Sequence, residues 1–101
     1  MDELYKFKFN GCCFVWNAKK AKVNLSKHGV SFEQAVEAFF DPFLRVIDNA
    51  GLADGEARDV LLGMDESWSL LFVVHIAVEG DQFRIISARR ATAHERKTYE
   101  S

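Results

Sequence analysis

The chain has 101 residues, 49% hydrophobic and 28% charged, which fits one small domain with a limited core; a second domain is not expected. Its longest wholly apolar run, Leu70 to Val74, is far too short to cross a bilayer, and no apolar stretch with a cleavage site follows the amino terminus. Cys12 and Cys13 are adjacent, poor geometry for a mutual bridge, so a cytoplasmic protein with no membrane association and no disulfide framework is expected.

The formal charge of -2 conceals a division: residues 1–30 carry +4, residues 31–82 carry -9 and residues 83–101 carry +3. Folding can gather the basic ends into a local anion-binding surface, or let them neutralise the acidic middle.

In chain order, Met1 to Lys6 resembles the carboxyl end of green fluorescent protein, which would make residues 1–6 an appended tail ahead of a single domain at 7–101. Leu4 to Phe14 also reads as a first strand, because Tyr5, Phe7 and Phe9 alternate with lysines, and Phe14 and Trp16 continue that face. Asn17 caps a basic helix to His28, with Ala21, Leu25 and His28 on one face and Gly29 as its stop. Ser31 and Gln34 form a capping box, stapled by Val30 and Ala35, for a second helix with a stripe of Phe32, Ala35, Val36, Phe39 and Phe40 that ends at Asp41-Pro42. Strands are expected at Phe43–Ile47, Arg58–Met64, Trp68–Val78 and Gln82–Ala88, with a loop from Asp48 through Asp54-Gly55 and short hairpin connections at 65–67 and 79–81. Thr92 and Glu95 form a further capping box for a helix over 93–100. The order predicts an α+β fold: a small antiparallel sheet packed against two amino-terminal helices, with a short carboxyl-terminal helix.

No phosphate-loop, CxxC, HExxH or GxGxxG pattern occurs, and His28, His75 and His94 could hold a metal only if folding gathered them. The informative segment runs from Arg84 to Thr92. Arg84 alternates away from Phe83 and Ile85, while Arg89 and Arg90 stand where a strand gives way to a capped helix, a place that suits polyanions. Arg84 could equally pair with Glu56 or Asp59 on a neighbouring strand. Arg58, one of two cations in the acidic middle, shares a strand face with Glu56 by its spacing of two, as a site or as a solvated ion pair. Lys27 and His28 close a helix, where a cation also serves as a cap.

The same groups are equipment for metal-free RNA cleavage. A base must take the proton of a 2′-hydroxyl, cations must stabilise the phosphorane-like charge, and an acid must protonate the departing 5′-oxygen. His28 or Glu56 fits the base, Lys27, Arg58 and Arg84 fit the electrostatic role, and Tyr99 is a weak acid candidate that also suits helix packing. The aromatic residues read mostly as core.

Across residues 12–100 the chain resembles the BrnT toxin family, through Phe14-Val15-Trp16-Asn17, Asn24, the run Lys27 to Glu33, Glu56-Ala57-Arg58, Gly63, Arg84 to Thr92, Glu95-Arg96 and Tyr99. The resemblance implies a RelE-like fold and a ribonuclease toxin of a type II toxin–antitoxin pair that inhibits translation by cutting RNA. It implies no metal or organic cofactor. A cognate BrnA-like antitoxin would neutralise it, and the complex would reach operator DNA indirectly, through the antitoxin. Carried over by position, the pattern favours Arg58 and Arg84 as catalytic or phosphate-binding groups, with Lys27, His28 and Glu56 as contributors and Arg89, Arg90 and Tyr99 in RNA or partner contact. The acidic net charge departs from the basic character of many ribonuclease toxins. The alternative is a noncatalytic antitoxin-binding subunit or a simple RNA-binding module.

Overall fold

In the computed structural model, which describes residues 3–53 and 56–101, with side chains at 3–47 and 57–101, the aromatic alternation at the amino terminus is two strands rather than one. Strand β1 (Leu4–Phe9) and strand β2 (Cys12–Asn17) pair antiparallel across Asn10-Gly11, whose φ values of 50° and 81° are both left-handed. Asn-Gly is the preferred pair for such a two-residue turn, a local signal that the single-strand reading passes over. Leu4 to Lys6 pair with Asn17 to Val15 as part of β1.

Helix α1 (Ala18–His28) begins where expected, with the Asn17 side chain accepting the Lys20 N–H at 2.9 Å, and stops at Gly29, whose φ of 70° suits glycine. Its inward residue differs from the expected one. Leu25 is 49% exposed, whereas Asn24 is buried, because α1 lies beside an open strand edge that requires a polar partner. Helix α2 (Phe32–Ala38) carries the full Ser31–Gln34 capping box and buries Phe32, Ala35, Val36 and Ala38. It ends ahead of the proline: the Phe39 and Phe40 N–H groups bond carbonyls three residues back, and Phe40 lies at the margin of the core rather than within it.

Strands β3 (Arg45–Ala53), β4 (Glu56–Met64), β5 (Leu70–Val78) and β6 (Gln82–Arg90) follow, then helix α3 (Ala93–Glu100) behind its Thr92–Glu95 capping box. The loop expected from Asp48 is instead backbone of β3, paired with β4 through Gly51 and Arg58 after an irregularity beyond Ile47. The expected Asp54-Gly55 turn lies outside the described residues. Asp65 organises the next connection, its carboxylate accepting the Ser67 and Ser69 N–H groups and the Gln34 amide.

The six strands of the described residues lie in the order β1-β2-β6-β5-β4-β3. The sheet is mixed rather than wholly antiparallel, because β2 and β6 run parallel, with Phe14 beside Phe83 and Val15 beside Arg84. Helices α1 and α2 cover one face, where Phe14, Trp16, Leu61, Leu71, Val73 and Ile85 meet Val30, Phe32, Ala35 and Val36. Helix α3 is tied to the opposite face, where Arg89 bonds Glu95 and Arg45 bonds the Ser101 carbonyl. No helix among the described residues is long and apolar enough to cross a membrane.

Candidate active site

Strand register decides where each arginine points. His75 on β5 faces the helices, its ring centroid 4.9 Å from that of Phe39 and 6.0 Å from that of Phe83. Ile76, one residue on, therefore faces the other way, and Arg84 is its partner on β6. Asp59 is paired with His75, so Arg58, one residue earlier on β4, also turns to the face of Ile76. Arg58 and Arg84 thus flank Ile76 on the face away from α1 and α2. Two strand spacings put their Cα atoms about 10 Å apart, a gap that two arginine side chains leaning over Ile76 can close on a phosphate-sized anion.

Both guanidinium groups belong to half-buried residues, and neither has a carboxylate partner among the described residues, where the ion pairs are Arg89–Glu95 and Arg96–Glu100. The Nε of Arg58 is buried without a hydrogen-bond partner among those residues. Pairing of Arg84 with Asp59 is ruled out by topology: β5 separates the two strands, and Asp59 faces the helices. The Glu56 side chain lies outside the described residues.

Lys27 and His28 lie at the end of α1, on a separate groove that neither Arg58 nor Arg84 lines. With Lys19, Lys20, Ile86 and Ser87 they line a groove of about 340 Å³ between α1 and β6. The pairing of β5 with β6 slips between Val74–Ser87 and His75–Ile85, leaving Ile86 as an extra residue and turning Ser87 to the face of Arg84. Asn24 fixes the groove from below. Its amide N–H₂ donates to the carbonyls of Ala88 at 2.8 Å and Val30 at 3.0 Å, and its oxygen accepts the Ala88 N–H at 3.2 Å. A carboxamide thus takes the place of a neighbouring strand where β2 has already given way to α1.

The terminal motif is differently employed. Arg89 makes a two-pronged bond to Glu95, at 2.9 Å on each side, with its guanidinium carbon 3.9 Å from the Phe72 ring centre. Bonding to Glu95 raises the Arg89 pKa against the effect of burial, and the same bond draws Glu95 below the usual carboxylate range. Tyr99 donates its phenol to Asp41, and burial together with that carboxylate pushes its pKa up to about 12, far from the range of an efficient acid. Burial alone would raise Asp41, but bonds from Tyr99, Met64 and Phe43 outweigh it and hold the carboxyl low. Arg89 and Tyr99 therefore fasten α3 to the body of the domain, whereas Arg90 is exposed at the end of β6. Phe72 and Asp41, the partners that occupy them, are remote in sequence and carry no local signal.

His75 is buried in the core with an unpartnered Nδ1 among the described residues, a position its strand pattern alone does not distinguish. No group of three His, Cys, Asp or Glu side chains that could hold a metal occurs among the described residues, so the three histidines are not gathered.

Residues 16–95 match the family model described as ribonuclease toxin, BrnT, of type II toxin–antitoxin systems. The chain belongs to the BrnT family. The three helices and mixed sheet of the described residues accord with the RelE-like architecture of these toxins. A comparison with curated proteins finds no match. The BrnT match begins at Trp16, so β1 and most of β2 precede it.

Proposed function

We propose that this BrnT-family chain is a cytoplasmic, metal-independent endoribonuclease that inhibits translation by cutting RNA. The observation that carries the reading is the pair Arg58 and Arg84, on one sheet face, flanking Ile76 and lacking carboxylate partners among the described residues. An arginine pair held half out of water favours a phosphate whose charge grows as a fifth oxygen bonds to phosphorus. The 2′-oxygen attacks, the bond from phosphorus to the 5′-oxygen breaks, the departing oxygen takes a proton from water, and the products are a 2′,3′-cyclic phosphate and a 5′-hydroxyl. His28 takes the 2′-hydroxyl proton from the side of the groove, a role Glu56 shares by its place on β4, and Lys27 adds positive charge. Arg90 serves substrate or partner contact. A cognate BrnA-like antitoxin neutralises the toxin, and the pair reaches operator DNA through the antitoxin.

Purified antitoxin-free protein, incubated with a defined RNA in EDTA, is expected to yield fragments with cyclic phosphate ends. Prior addition of the antitoxin suppresses them. RNA left intact under these conditions would overturn autonomous cleavage and favour the noncatalytic role in the complex.

A further inference from the structure

The row of residues that holds Ile76 and Arg84 does not stop at β6. Val15 of β2 is the parallel partner of Arg84, and Lys6 of β1 is the antiparallel partner of Val15. Partners across a sheet point the same way, so Lys6 shares the face of the two arginines. The aromatic contacts agree: Tyr5 and Phe7 pack on Trp16, on the helix side, at centroid distances of 5.2 and 5.8 Å, which turns Lys6 and Lys8 to the other side. Lys8, opposite Cys13, which in turn is opposite Gln82, begins the next row. Both lysines are exposed, and neither forms an ion pair among the described residues.

Cations thus stand on alternate strands, Arg58 on β4, Arg84 on β6 and Lys6 on β1, about 10 Å apart at each step. We propose that Lys6 and Lys8 form a phosphate-binding extension of the site, holding the single-stranded RNA on one side of the scissile phosphate. The inference rests on the nuclease reading for the identity of the ligand. It concerns the hairpin before Trp16, which the family match does not include. Charge selects a polyanion, and an open sheet edge accommodates an extended strand better than a duplex. Edge lysines also discourage strand-to-strand association, but that role predicts no effect on RNA.

The test measures anisotropy of a fluorescent 2′-O-methyl RNA 12-mer, which binds without being cut, across a salt series. The double variant Lys6→Gln/Lys8→Gln is expected to bind about tenfold more weakly at 0.1 M salt, with a log–log salt slope shallower by about 1.4, the loss of two phosphate contacts on a single strand. Lys6→Arg/Lys8→Arg keeps the parent affinity. Lys22→Gln/Lys97→Gln, with the same change in net charge, keeps the parent slope. Parent-like binding by the glutamine variant, an equal loss in the control, or no binding by the parent would each overturn the extension. A parent that binds the 12-mer through these lysines yet leaves ordinary RNA intact would overturn the nuclease reading and uphold the extension.

Discussion

At the scale of single residues, Asn24 carries more structure than any lysine around it. One buried carboxamide satisfies the N–H and carbonyl of Ala88 and the carbonyl of Val30, all groups that burial would otherwise leave without partners. Asn24→Ala is expected to lower unfolding free energy by about 2–4 kcal/mol, read from urea denaturation, because it strands buried polar groups instead of removing a matched pair. His75 sets a pH dependence of its own. Burial pushes its imidazole below the usual value, against the raising effects of the Val73 backbone and Asp59. The unfolded chain therefore takes up a proton near pH 6.5 while the folded chain resists, and stability falls as pH drops from about 6.5 through the lower folded value. Urea midpoints between pH 7 and pH 5 should decline in the parent and flatten in His75→Phe; an equal decline in both would assign the effect elsewhere. Asp41 and Glu95, both held low, lose their contribution only at more acid pH.

Among elements, the helices were the most legible in sequence, because each boundary depends on residues three or four apart. Asn17, Gly29, Ser31–Gln34 and Thr92–Glu95 do in the structure what their spacing implies. The β1–β2 turn was equally local and equally available at Asn10-Gly11. The parallel pairing of β2 with β6 was not, since it joins segments some seventy residues apart and leaves no periodic trace. Arg58 and Arg84 were legible as unusual cations, but their common face depends on strand order, and the engagement of Arg89 with Phe72 and of Tyr99 with Asp41 depends on where α3 docks. Gly63 shows how closely α2 approaches the sheet: a Cβ there would collide with the Ala38 carbonyl oxygen. Gly63→Ala is expected to destabilise the domain by about 2–3 kcal/mol, measured by thermal or urea unfolding, because backbone and not a flexible side chain stands in the way.

Over the whole molecule, the parallel pairing settles how the charge is distributed. It sets β6, from the basic carboxyl end, beside β2 and β1 from the basic amino end, while β3, β4 and β5 come from the acidic middle. The two basic blocks become neighbours instead of being spread among the acids, and the acidic block contributes Arg58 and Arg45 to the shared face, Arg45 being engaged by the Ser101 carbonyl. An acidic net charge is thus compatible with a local site for a polyanion. The central claim is that Arg58 and Arg84 act together on one phosphate, and single-turnover cleavage of a defined RNA in EDTA by the parent, Arg58→Ala, Arg84→Ala and the double variant tests it most directly. Each single change is predicted to slow cleavage by about 10²–10³-fold, with the double variant far less impaired than the product of the two effects. Cleavage at the parent rate by either folded single variant would contradict the account.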